Sequence, residues 1–373
     1  MEYLSPESEY LISLLKSAVR DERAPAAPED IDWKKLVDLS KKQQVYSVIC
    51  PVLNVKALPP KQAQELQLYN QNELLRIIAM KSELESIEKE LENHQVKYML
   101  LKGSVLRNYY PQSKMRQMSD IDILFDGTKR EAVAGIMQKM GYSVTNNSDN
   151  SDDYFKAPFY TFEFHRKLFF EGADFCPDLG NVWEKAVADN SRNCLYHMDL
   201  NDMYIYNICH MYKHFIKSCC GIRFLIDNYL FLKKENNKLN WKYIENRFSE
   251  IGILDFEKQT RALAFHIFDG SALTTEDAKQ LYYYTSFGIY GDFRGAAVQD
   301  YSKRRDNNSK AAAGIGFVFK RIFPDKKNME RFYPYLKEKP YLIGFAYLQR
   351  LFKGIFHFKK AMDELESIND LNK

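Results

Sequence analysis

The chain lacks any run of eighteen apolar residues, so no membrane-spanning helix is expected. Its six cysteines include no CxxC pair, and the vicinal Cys219-Cys220 does not make a disulfide framework in a chain of this length. A reducing, cytoplasmic setting follows as the expectation. The opening MEYLSPESEY is acidic and lacks the basic-then-apolar order of a secretory leader. No internal repeat is present. A net charge of +3 gives no ground for nucleic acid as a partner. The sequence sets no oligomeric state.

What the chain does have is the composition of a folded protein: 45% hydrophobic and 28% charged residues over 373 positions. Twenty-five Tyr and 25 Phe supply bulk for a large core. The length suits two domains, or one large domain with an extension.

Residues 1–70 read as an N-terminal helical segment. Ser5-Pro6-Glu7 opens one helix, Pro25 and Pro28 break it, and Asp30-Ile31-Asp32-Trp33 opens another. Pro59-Pro60 marks a joint, and apolar residues at helical spacing from Leu74 to Leu91 predict a long helix from about Lys61 to Asn93. Residues 71–190 form an α/β core. Its predicted strands are 96–101, 120–125, 142–145 and 160–165, and its helix 129–140 is closed by Gly141. The polar, acidic stretch 146–153 reads as a loop. Residues 191–373 read as a C-terminal helical domain, with helices at 203–218, 222–233 and 241–251 and a loop from Gly288 through the basic stretch to Lys310. The final amphipathic, basic run from Tyr341 fits a helix packed on a neighbour better than one lying on a membrane surface.

The chemistry centres on LLKGSVLRNYYPQSKMRQMSDIDILF, residues 100–125. Residues i and i+2 of a strand share a face, so Asp120 and Asp122 project together while Ile121 and Ile123 face the core. Two carboxylates about 7 Å apart on one face repel unless a cation lies between them, and a divalent metal supplies one. Gly103-Ser104, where a strand turns into a helix, is a place for phosphate. Glu163 lies in the strand 160–165 with His165 as its companion on the same face. If that strand pairs beside the Asp strand, Glu163 completes a three-carboxylate site able to hold two Mg²⁺ ions. His210 and His214 stand one helical turn apart, but no third zinc ligand accompanies them.

Strand, Gly-Ser, short helix, Asp-x-Asp strand and a later single carboxylate resemble the DNA polymerase beta-like nucleotidyltransferase superfamily. More narrowly, Leu101-Lys102-Gly103, Tyr110-Pro111, Arg116 and Ser119-Asp120-Ile121-Asp122 are similar to a branch of bacterial proteins described as uncharacterised nucleotidyltransferases. FEFHRKL (162–168), GIRFLIDNYLFL (221–232) and RIFPDKKNMERFYPYL (321–336) extend the likeness over most of the chain.

The resemblance implies roles. Gly103 and Ser104 would grip a triphosphate, and Asp120 and Asp122 would bind Mg²⁺ or Mn²⁺. Glu163 would bind metal or deprotonate the acceptor, standing where Asp is usual. Lys102 and Arg116 would stabilise charge on the phosphates. The implied reaction moves a nucleoside monophosphate from an NTP to a hydroxyl of a small molecule, sugar or protein and releases pyrophosphate. The alternative is a catalytically inactive nucleotide-binding or scaffold protein of the same fold, which a Glu163 pointing away from the Asp pair would favour.

Overall fold

Local signals start and stop the first elements as the sequence predicts. The computed structural model describes residues 4–169, 175–292 and shorter stretches between 294 and 349. The Ser5 hydroxyl caps α1 (Pro6–Arg20) by accepting from the Ser8 amide, and Asp32 caps α2 (Trp33–Lys42) by accepting from Lys35. A single turn, α3 (Tyr46–Ile49), precedes the long α4 (Pro60–Asn93), which begins on a proline. Arg20 on α1 donates to the Asp269 carbonyl at 3.1 Å, so the N-terminal helix rests on a helix from much later in the chain.

The sheet comes next. Its strands are β1 (Tyr98–Leu100), β2 (Ile121–Phe125), β3 (Ser143–Asn147), β4 (Ser151–Lys156) and β5 (Tyr160–His165). Between them lie α5 (Gly103–Leu106) and α6 (Arg130–Lys139). The strand order is β1-β2-β5-β4-β3, with β2 and β5 parallel and the other neighbours antiparallel. The fold is α+β, a small mixed sheet flanked by helices.

The stretch 146–153 is not a loop. It forms the end of β3, a tight turn at Ser148, and the start of β4. Polarity misleads there for two reasons. β3 is an edge strand exposed along its whole length, so it carries no apolar alternation. The acidic Asp152 is buried on β4 because Arg130 and Arg166 neutralise it, with contacts of 2.7 and 2.6 Å.

Both faces of β2 are covered. Ile121, Ile123 and Phe125 pack with Ile87 and Leu91 of α4 and with Val133, Ile136 and Met137 of α6. Leu124 faces the other way, into a core shared with α7 (Leu200–Ser218), α8 (Arg223–Glu235) and α9 (Trp241–Ile251). A two-residue hairpin, β6 (Val187–Ala188) with β7 (Tyr196–His197), precedes α7. After α9 come α10 (Leu254–Asp269) and α11 (Thr275–Thr285). Among the described residues no helix is long and apolar enough to cross a membrane.

The chain divides into two compact units. The first comprises Met1–Lys213 and Gly221–Ile289. The second takes His214–Cys220 and the described residues from Tyr290 on. In the second, Ser218 donates to the Tyr290 carbonyl, and Met329, Tyr333, Leu336 and Ala346 form a small apolar cluster. The basic segments 303–305 and 326–327 and most of the final amphipathic run lie outside the described residues.

Candidate active site

Lys102 joins β1 to α5 with φ 45° and ψ −119°, a conformation that side-chain-bearing residues rarely adopt. The strained turn is braced at its tip, where Lys102 Nζ donates to Asp122 Oδ1 at 2.5 Å. α5 itself is a single turn. The Ser104 and Val105 amides already donate to the carbonyls of Leu101 and Lys102, at 3.2 and 3.1 Å. These amides are therefore not the open phosphate donors that the strand-to-helix pattern suggests. What the turn does present is the Ser104 hydroxyl, buried and without a hydrogen-bond partner among the described residues.

Packing gives Gly103 a reason to be glycine. A Cβ there would stand 2.4 Å from Arg116 Nη1 and 3.0 Å from the Met118 sulfur. The turn lies against a guanidinium that is itself anchored: Arg116 Nε and Nη2 donate to the two oxygens of Asp227 at 2.8 and 2.7 Å. Tyr110 adds a hydrogen bond of 2.7 Å to the same carboxylate. Asp227, on α8, thus serves Arg116 and Tyr110, whereas Arg223 reaches Gln44 and the Gln117 carbonyl.

The parallel pairing of β2 with β5 sets Asp122 opposite Glu163. His165, two residues on, lies on the same face as Glu163. Its Nε2 stands 2.8 Å from Asp122 Oδ1 and 3.5 Å from Glu163 Oε2. Ligand atoms of Asp122, Glu163 and His165 all lie within 4.8 Å of one another. Asp122 and His165 are buried, while the Glu163 side chain is 29% exposed and reachable from solvent.

The electrostatics describe a crowded acidic site. Burial first, and then the nearby charges of Asp122 and Glu163, push the Asp120 carboxyl up to about 7. Burial would raise Asp122 as well, but Lys102 and His165 outweigh it and hold that carboxyl well below the ordinary range. Burial acts to lower His165, yet its bonds to Asp122 and Glu163 leave the imidazole raised. Lys102 and His165 together favour the ionised Asp122, and Asp120 is the carboxyl left raised.

Residues 29–269 match the sequence profile of a family described as uncharacterised nucleotidyltransferases. The chain belongs to this family. No curated protein matches it. Among solved structures, the solution structure of the antibiotic-resistance factor ANT(2'')-Ia aligns at 12% identity over 49% of this chain and 94% of that one, with a TM-score of 0.34.

In this nucleotidyltransferase the structure brings Lys102, Asp122 and Glu163 together, with Asp120 close enough to feel both acids. Arg116 pairs with Asp227 and lies against Gly103, the residue next to Lys102. The residue whose part the sequence left open is His165. Its signal was the period of two in FEFH, which puts the imidazole on the Glu163 face, but only the β2–β5 register shows that Asp122 waits there. His210 and His214 join no group of three ligand atoms among the described residues.

Proposed function

We propose that this nucleotidyltransferase transfers a nucleoside monophosphate from an NTP to a hydroxyl acceptor, with Mg²⁺ or Mn²⁺ held by Asp120, Asp122 and Glu163. The observation that supports it most is the meeting of Asp122 and Glu163 across paired strands inside a covered sheet. Asp122 is buried beside Lys102 and His165, and Glu163 stands opposite it with access to solvent, where a further cation can enter. The donor set suits a hard divalent ion, since carboxylate oxygens predominate in it. His165 then orients Asp122 rather than ligating, as groups behind metal-bound carboxylates commonly do.

Asp120, Asp122 and Glu163 would hold a divalent ion, which would supply charge neutralisation for the phosphates and acidify the attacking hydroxyl. The chain's own residues do the rest. The Ser104 hydroxyl is a donor for a phosphate oxygen, and Lys102 shares its charge between Asp122 and the phosphates. Arg116 acts at one remove, holding the Gly103 turn in place. In the transfer, the acceptor oxygen bonds to the α-phosphorus as the α–β bridging bond breaks. Pyrophosphate leaves with that electron pair, and the hydroxyl proton passes to Glu163. The six cysteines, all free thiols, accord with a cytoplasmic setting.

Calorimetric titration of MgATP, MgCTP, MgGTP and MgUTP into wild type and Asp122→Asn tests this reading. Uptake of at least one nucleotide by wild type, dependent on the metal and lost in Asp122→Asn, is expected. Equal uptake by both proteins, or none by wild type, sinks it.

A further inference from the structure

A pocket of about 250 Å³ opens beside Ser119, the residue before Asp120. Tyr46, Tyr69, Glu73, Arg76 and Gln117 line it with Ser119. Glu73 and Gln117 are only 7% and 5% exposed. Each keeps a side-chain oxygen, Oε1, that has no hydrogen-bond partner among the described residues. A buried carboxylate oxygen and a buried amide left unmatched are costly, and the cost is recovered when a ligand brings the missing donors. The remaining partners are loosely engaged. Arg76 reaches Glu73 Oε2 and the Ser119 carbonyl at 3.3 Å each, near the long end for such bonds.

The aromatic wall discriminates between ligands. Tyr46 and Tyr69 lie 5.8 Å apart at a tilt of 53°, and Lys41 covers the Tyr69 ring at 4.3 Å. The tilt keeps the two rings from sandwiching a flat nucleobase between them. They do leave ring surface for the C–H faces of a non-planar molecule. Carboxylate, amide, guanidinium and phenol together match groups that both donate and accept, which is the behaviour of hydroxyls. The volume is below that of pockets for drug-sized ligands, so the occupant is small.

We propose that this pocket seats the acceptor, and that the acceptor is a small polyhydroxylated molecule of the sugar or polyol class. The proposal rests on the transfer reading above, since it takes Ser119, the pocket-lining residue that precedes Asp120 in the chain, as the side from which a hydroxyl approaches that site. Glu73 accepts from one hydroxyl, Gln117 and Arg76 fix others, and Tyr69 supports the carbon face.

Saturation-transfer NMR on the full chain tests it, with D-glucose, D-mannose, N-acetyl-D-glucosamine, myo-inositol and glycerol as probes and adenosine and cytidine as rivals. At least one polyol is expected to receive saturation. Glu73→Gln and the exposed-site variant Tyr69→Ala should each weaken that polyol about tenfold or more, while both keep their melting behaviour and bind Mg-nucleotide within about twofold of wild type. The proposal is overturned if every polyol is silent, if neither substitution weakens the bound polyol, or if adenosine or cytidine displaces it and Tyr69→Ala weakens nucleotide instead. The calorimetry described above separates the two ideas. Nucleotide uptake without polyol binding removes the acceptor pocket alone, whereas polyol binding without nucleotide uptake leaves the pocket and removes the transfer reading.

Discussion

Arg116 and Asp227 form a buried, two-pronged ion pair across 111 residues of sequence, with the guanidinium lying against Gly103. The pair ties the segment before β2 to α8, and through Gly103 it sets the position of the turn that carries Lys102 and Ser104.

Removing one partner leaves the other charged and buried. Asp227→Ala should therefore cost about 3–5 kcal/mol, read from urea unfolding. Replacing both, as Arg116→Met with Asp227→Leu, should cost less than either single change. A loss below about 1 kcal/mol for Asp227→Ala, of the size seen for exposed pairs, contradicts this.

Gly103→Ala introduces a Cβ 2.4 Å from a guanidinium nitrogen that Asp227 prevents from swinging away. Overpacking of this kind should destabilise by about 1–3 kcal/mol. If the alanine variant is as stable as wild type in the same unfolding assay, Arg116 is freer to move than its bonds to Asp227 indicate.

His165→Gln tests whether the imidazole orients Asp122. The Mg²⁺ concentration for half-maximal nucleotide uptake should rise about tenfold or more, with saturation still attainable. A variant that loses affinity without any change in metal requirement would assign His165 to packing alone.

Away from the site, Thr274 and Asp277 close the start of α11 with a reciprocal pair of hydrogen bonds. Thr274→Ala should cost about 1 kcal/mol in thermal or urea unfolding. A loss within experimental error of zero would show that the Asp277 side chain closes this end by itself.

The same cap predicts a pH dependence. Burial acts to raise Asp277, but the Thr274 amide and His266 overcome it and hold the carboxyl below its ordinary value. A carboxylate depressed in the folded state contributes stability above its unfolded pKa and loses it as pH falls through the folded value. The stability gap between wild type and Asp277→Asn should therefore be full near neutrality and close in acid. A gap that stays constant from neutral to strongly acidic pH removes the electrostatic part of this account.

Much of the fold was legible because its signals are local. Residues 241–251 read as a helix from sequence and form one over that span, between an Asn240 cap and a left-handed Gly252. The long helix begins on Pro60, one residue before the start its apolar spacing predicts. The 146–153 stretch reads as a loop because an exposed edge strand and an acid neutralised by two arginines look alike in sequence: both are polar. At Gly103-Ser104 the sequence likewise leaves open which amides are free, and the Ser104 amide is not. A strand-to-helix pattern does not reveal that the turn bonds to its own preceding carbonyls.

Taken by itself, the sequence determined that Asp120 and Asp122 lie in and beside a strand whose isoleucines face a core, and that Glu163 and His165 share a face of another. Period-two alternation is a property of neighbouring residues and needs no tertiary information. Only the tertiary structure decided that these strands are adjacent, parallel and registered so that Asp122 meets Glu163, that Lys102 reaches back to that carboxylate, and that Arg116 spends its guanidinium on Asp227. Those pairings join residues 20 to 111 positions apart. They depend on which apolar faces find one another when helices cover both sides of the sheet, and no local pattern encodes that outcome.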